Sequence, residues 1–297
     1  MHNQLQLHIG STSQAAARVY FTVLDNAKIT SASGKLRGPY CKYARTLPAE
    51  FPVQLSTHPA NQQTIAESLV IDPCYWSPTL PYTYEIELQL QLESGQEISH
   101  QGTLGMRQWH CRQENLYLDS RRTVLRGYRV HDFCEETVQQ ARKQESSLLI
   151  EPDDLTTYEA ADSLGVGLMI DLRNTDESLH DQLHNLNWSP AALIAMVNAE
   201  QISQLDKPLL PQQFLLAQSL TSRSTIAEIE KTRADILVVG LDEDERPPSW
   251  TANVEQPVIA IRSGVSENQC LQPRRSCETL QADLAPEFNL AGYFISP

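Results

Sequence analysis

The chain contains no CxxC pair and no apolar run approaching the ~18 residues that cross a bilayer. Its first residues, MHNQLQLHIGSTSQ, lack the charged flank and apolar core of a signal peptide, so a soluble, cytoplasmic protein without a membrane partner is expected. Six cysteines stand at 41, 74, 111, 134, 270 and 277; a chain of 297 residues needs no disulfide staples, and free, mostly buried thiols are predicted. Positive charge is also scarce. A net charge of -14 opposes a polyanion, because Lys and Arg contacts to phosphate supply most non-specific nucleic-acid affinity. GxSxG, P-loop, GxGxxG and HExxH patterns are missing, as are tandem repeats, and no cofactor is expected. His180 and His184 would share a helical face but lack a third ligand, and read as a surface pair rather than a zinc site.

What is present begins as β-structure. LQLHIG, ARVYFTVL, KITSA, TLPAEFPVQL, TIAESLVI, YTYEIELQLQL and EISHQGTLGM follow one another at short intervals, separated by Gly, Pro, Ser and Asn. In the longest run Tyr84, Ile86, Leu88, Leu90 and Leu92 alternate with Glu85, Glu87, Gln89 and Gln91, the period of a strand with one dry and one wet face. Seven short strands over residues 1–115 fit a β-sandwich, with Pro48, Pro52, Pro59, Pro73, Pro78 and Pro81 at turns or edges.

Beyond residue 119 apolar runs alternate with amphipathic segments, the mark of βα units. The runs are TVLRGYRV, SLLIE, GLMIDL, ALIAMV, FLLAQSL, DILVVGL, PVIAI and AGYFIS, the eight that a closed (β/α)8 barrel requires. EETVQQARKQ, TTYEAADSLG, ESLHDQLHNL and TIAEIEKTR read as helices, with Gly165 as a helix-terminating glycine. Residues 116–297 are few for such a barrel, which predicts that the helices after strands four and six are trimmed; Pro247-Pro248 agrees. Arg121-Arg122, Arg126, Arg129 and Arg274-Arg275 are read as solvated turn and barrel-mouth side chains, not a nucleic-acid patch.

Three triplets in order carry a resemblance: Trp76-Ser77-Pro78, Gly105-Met106-Arg107, and Leu125-Arg126-Gly127 followed by His131. The arrangement resembles glycoside hydrolase family 2, in which such elements open the last hairpin of an immunoglobulin-like sandwich, close it, and begin a TIM barrel. The resemblance implies that fold here, without the sugar-binding jelly roll that usually comes first.

The resemblance also implies where a site should lie. In the family an acid/base Glu follows an Asn at the end of strand four. Here PAALIAMVNAE puts Glu200 in that place, with Ala199 for the Asn and Asn198 one residue earlier. At strand seven the family's nucleophilic Glu is matched by Arg262, which stays protonated and cannot attack an anomeric carbon. Arg262 beside Glu200 would form an ion pair and keep that carboxylate ionised. Arg129 replaces an Asn of the first strand, His131 remains, Glu151 precedes Pro152 after strand two, and Asp171 ends strand three with Leu172 in place of a second acid.

These substitutions predict a family 2-like protein that is catalytically inactive and binds a carbohydrate or a protein partner, with Glu200, Arg262, Arg129, His131, Glu151, Asp171 and Asn198 around the old cleft. One alternative is an active glycosidase using Glu200 with a second carboxylate from Asp171 or from the acidic loop Asp242-Glu243-Asp244-Glu245, which otherwise reads as a solvated loop. Another is an interaction module acting through the sandwich. Trp188 and Trp250 fall in barrel loops, where sugar stacking and core packing are both open readings, and Trp76 reads as an anchor. Asn187-Trp188-Ser189 matches a glycosylation sequon, but Pro190 follows and a turn is expected. Oligomeric state is not legible in the sequence.

Overall fold

A computed structural model describes residues 4–24, 27–58, 63–152, 155–175, 178–205, 213–225, 229, 232–265 and 272–297. Two compact units divide it: Met1–Arg107 with His180–Pro190 and Lys207–Gln213, and Gln108–Leu179 with Ala191–Asp206 and Phe214–Pro297.

The first unit is one antiparallel sheet curled into a sandwich. Its strands are β1 (Leu5–Thr12), β2 (Ala16–Val23), β3 (Ile29–Tyr40), β4 (Ala49–Thr57), β5 (Thr64–Ile71), β6 (Thr83–Leu92) and β7 (Glu97–Leu104), in the order β1-β2-β5-β4-β3-β6-β7. Curling follows from where the apolar residues lie. Leu5, Leu7 and Ile9 of β1 share one core with Tyr84, Ile86, Leu88, Leu90 and Leu92 of β6, although four strands separate β1 from β6 in the sheet. The alternation predicted for β6 is complete, its polar residues Glu85, Glu87, Gln89 and Gln91 being exposed. One proline departs from expectation. Pro52 lies inside β4, opposite Lys35 of β3, but before β4 begins to pair with β5 at Val53; a missing N–H is tolerated there.

The second unit starts with a three-stranded meander, β8 (Trp109–Arg112), β9 (Asn115–Leu118) and β10 (Arg121–Thr123). Eight parallel strands then close into a barrel: β11 (Leu125–Arg129), β12 (Ser147–Ile150), β13 (Leu168–Asp171), β14 (Ala192–Val197), β15 (Leu215–Thr221), β16 (Ile236–Leu241), β17 (Val258–Arg262) and β18 (Gly292–Ile295). Each matches a predicted run. The glycine of Leu125-Arg126-Gly127 has a steric cause: a Cβ there would stand 2.3 Å from Phe294 Cε1 and 2.5 Å from the Ser147 carbonyl oxygen.

Helices α1 (Glu135–Lys143), α2 (Leu155–Leu164) and α3 (Leu179–Leu186) lie where the amphipathic segments predicted them. Gly165, at φ 73°, ends α2 and donates its N–H to the Ala161 carbonyl. Among the described residues after strand four the helix is the six-residue α4 (Ala199–Gln204), and after strand six a single 3-10 turn, Ser249–Ala252, follows the two prolines. Most of TIAEIEKTR lies outside the described residues. Arg274 and Arg275 are not turn residues. They open α5 (Pro273–Leu284), with Pro273 in the first turn and Pro273, Cys277, Leu280 and Leu284 forming its buried stripe. The five described cysteines are free, but only Cys277 is buried; the other four are half-buried because they sit at strand ends and loops, and Cys270 lies outside the described residues. Among the described residues no helix is long and apolar enough to cross a membrane.

Candidate functional site

In the first unit the first two family-like triplets have structural duties. Trp76 is fully buried and donates its N–H to the Met106 carbonyl at 2.6 Å; Ser77 Oγ accepts the Leu80 N–H at 3.1 Å, which makes the turn. Gly105 leaves room for Pro190, whose Cγ would lie 2.6 Å from an added Cβ. Arg107, only 4% exposed, donates Nε to the Gln213 carbonyl at 2.9 Å and Nη1 to the carbonyls of Ser189 and Pro190.

Trp188 is part of the same core, 6% exposed and packed near Phe21 and His100, so its face is not offered to a sugar. Trp250 is buried too. Asn187 of the sequon is buried, its Oδ1 accepting the Gln213 N–H at 3.0 Å, as the turn reading required. His184 is half-buried; burial, reinforced by the neighbouring His180, pushes its pKa down to about 4.

Register assigns each side chain of the barrel to the inner or outer face. Leu125, Gly292 and Ile259 are in register on the inner face, where a Cβ on Gly292 would meet both neighbours. Arg126, Tyr293 and Ala260 form the next level, on the outer face, where Arg126 donates to Gln281 of α5. Tyr128, Ile295 and Arg262 lie two residues on, on that same outer face.

Arg262 therefore ends strand seven, as the sequence comparison placed it, but turns toward the helices. Its Nη2 donates to the Glu245 carbonyl at 2.9 Å and its Nη1 lies 3.5 Å from Asp283 Oδ2 on α5. The expected ion pair with Glu200 is not formed among the described residues, because Asp283 and the Glu245 carbonyl hold the guanidinium on the opposite side of the strand. Glu200 is exposed in the first turn of α4.

Asn198 has a capping role. Its Oδ1 accepts the Gln201 N–H at 2.9 Å, Gln201 Oε1 accepts the Asn198 N–H at 2.8 Å, and Gln201 Nε2 reaches the Leu172 carbonyl at 2.9 Å. The side chain expected to bind ligand thus completes a helix terminus instead. His131 is exposed, two residues past β11.

The charged cluster of the mouth centres on Asp171, whose side chain is 4% exposed. Arg129 Nη2 and Arg173 Nη2 each donate to its Oδ2 at 2.7 Å, and Arg173 Nε donates to Oδ1 at 2.7 Å. Burial alone would raise this carboxyl, but the hydrogen bonds from Arg173 and Arg129 outweigh it and hold the pKa below the usual carboxylate range. Arg173 Nη1 also donates to Ser219 Oγ at 3.0 Å, while Glu151 stands 3.8 Å from Arg129 Nη1 with 71% of its side chain exposed. Gly240, in register with Thr221 near the end of the neighbouring strand, is exposed, and among the described residues a Cβ there would meet only the Leu220 carbonyl oxygen, at 3.9 Å.

Arg173 and Ser219 were missed in the sequence. Arg173 stands two places after Asp171, and a basic residue at that spacing is the signal that it can fold back onto the carboxylate. The acidic loop leaves Asp242, Glu243 and Asp244 exposed, while Glu245 accepts the Asp242 N–H at 3.1 Å; no group of three metal-ligating side chains occurs among the described residues.

An antiparallel sandwich followed by a small closed parallel barrel is the architecture of glycoside hydrolase family 2-like proteins, and solved structures agree. The chain is similar to a β-glucuronidase of Bacteroides uniformis, with TM-score 0.64 and 13% identity over 99% of this chain and 45% of that one. It is similar to a Bifidobacterium dentium β-glucuronidase complexed with coumarin-3-O-glucuronide, with TM-score 0.67 and 12% identity over 98% and 59%. A third, from Lactobacillus rhamnosus, gives 0.63 and 14% over 99% and 60%. The chain thus spans roughly half the length of these structures, and the likeness is one of fold. No protein-family profile and no curated protein matches the sequence.

Proposed function

We propose that this chain is a glycoside hydrolase family 2-like protein that binds a carbohydrate or a protein partner at its barrel mouth without hydrolysing it. The observation that carries the proposal is the Arg129–Asp171–Arg173 cluster. A retaining glycosidase needs two carboxyl groups ~5 to 5.5 Å apart, one free to attack the anomeric carbon and one able to donate a proton. Asp171 is held ionised with both oxygens engaged by guanidinium donors, which suits neither duty. Arg262 faces α5, and Glu200 lies exposed in a helix.

The same cluster suits binding. Planar guanidinium donors held by a carboxylate are pre-oriented for hydroxyl or carboxylate oxygens, Arg173 is 34% exposed, and Glu151 adds an acceptor at the rim. The glycosidases among similar folds support a carbohydrate in general.

The test is a glycan array and an aryl-glycoside screen on the purified chain, with Glu200→Gln and Arg173→Ala alongside. Glycan binding without turnover, weakened by Arg173→Ala, supports the proposal; turnover abolished by Glu200→Gln overturns it. A second reading, action through the sandwich, is favoured by one observation. Among the described residues the exposed large apolar side chains, Tyr43, Leu47, Leu55, Leu69 and Ile71, all belong to the first unit, and Leu47 is 91% exposed.

A further inference from the structure

The first unit brings two imidazoles together. His180 and His184 are four residues apart on α3 and so share one face of consecutive turns. Their ring centroids are 4.1 Å apart with the planes at 79°, and their Nε2 atoms converge to 3.0 Å. His180 keeps 68% of its side chain in solvent, so the point of convergence is accessible. On the inner side Gln6 Nε2 lies 3.1 Å from His184 Nε2, and Thr22 Oγ1 lies 3.2 Å from Gln6 Oε1. On the outer side Asp181 Oδ1 lies 4.0 Å from His180 Nδ1.

We propose that His180 and His184 form a two-imidazole clamp for a divalent transition-metal ion of the Cu2+ or Ni2+ kind. The argument is geometric. At a metal–nitrogen distance of ~2.1 Å, two nitrogens 3.0 Å apart subtend about 90° at the metal. That is the angle between neighbouring ligands in square-planar and octahedral coordination, whereas a tetrahedral zinc ion wants its nitrogens about 3.4 Å apart.

The surroundings fit. Asp181 Oδ1, 4.0 Å from His180 Nδ1, is too far for a hydrogen bond but favours electrostatically the tautomer that carries its proton on Nδ1 and leaves Nε2 bare. Turning over the Gln6 amide presents Oε1 as a third donor, and the Thr22 hydroxyl, both donor and acceptor, accommodates either orientation. Binding replaces one N–H···N contact by two dative bonds from neutral rings, each carrying its proton on Nδ1, with no net proton release. Among the described residues His184 Nδ1 is buried without a hydrogen-bond partner, so holding its proton there is unfavourable and limits the affinity.

The test is calorimetric titration of the metal-stripped full chain with Cu2+, Ni2+ and Zn2+, together with electron paramagnetic resonance of the Cu2+ adduct. One micromolar Cu2+ site with nitrogen couplings, weakened at least ~10-fold by His180→Ala, is expected. His180 is exposed, so that variant folds; His110→Ala serves as the control and leaves the site intact. Affinity unchanged in His180→Ala, Zn2+ bound more tightly than Cu2+, or no site tighter than millimolar would overturn the proposal.

Discussion

Arg107 of the first unit and Arg129 of the barrel are both largely withdrawn from solvent, yet different partners hold them. Arg107 bonds the backbone carbonyls of Ser189, Pro190 and Gln213. Arg129 bonds a carboxylate, Asp171, that it shares with Arg173. A guanidinium on carbonyl oxygens fixes the path of the chain. One on a shared carboxylate fixes a charge. The first two family-like triplets are found where the first duty is done, and Arg129, which departs from the family pattern, is found where the second is.

The difference can be broken from either side. The largest effect is expected for Arg107→Ala, which leaves buried carbonyls without donors and should destabilise the first unit by about 4 kcal/mol in denaturant unfolding. Asp171→Asn should follow, at about 3 kcal/mol, since it strands two guanidinium groups, and it should abolish any glycan binding at the mouth. The carboxyl's lowered pKa fixes the sign of its pH dependence: its contribution is complete above the ordinary carboxylate pKa of ~4 and is lost as pH falls through the lowered folded value. The gap in unfolding free energy between the native chain and Asp171→Asn should therefore narrow only in acid. Asn198→Ala removes a capping box and should cost about 1 kcal/mol, measured by thermal unfolding, without altering ligand affinity. Glu200→Gln, at an exposed helical position, should change stability by less than ~0.5 kcal/mol.

Much of the architecture was legible because it rests on period and sterics. The two-residue alternation of β6 and the eight apolar runs could form little else, and Gly127 marks a close approach that only glycine allows. The site was less legible, because motif alignment gives position along a strand but not the face. Arg262 ends strand seven as expected, but only register with Tyr128 shows that it points outward. Asn198 was read as a ligand because its partner, Gln201, lies in a helix too short to be recognised by pattern. The sequence expectation lacks helix α5, although Pro273, Cys277, Leu280 and Leu284 have helical spacing, because the paired arginines in its first turn interrupt the apolar pattern.

The outward turn of Arg262 decides which position of strand seven could present a carboxylate to the inner face of the barrel. Arg262→Glu would restore the family letter and still fail, because the new carboxylate would be lodged against Asp283, repelled by it and screened from the cavity by its own strand. Ile261 is the position to replace. Its neighbours in register are Gly240 and Phe294, and among the described residues a Cβ added at Gly240 would meet nothing nearer than the Leu220 carbonyl oxygen, at 3.9 Å.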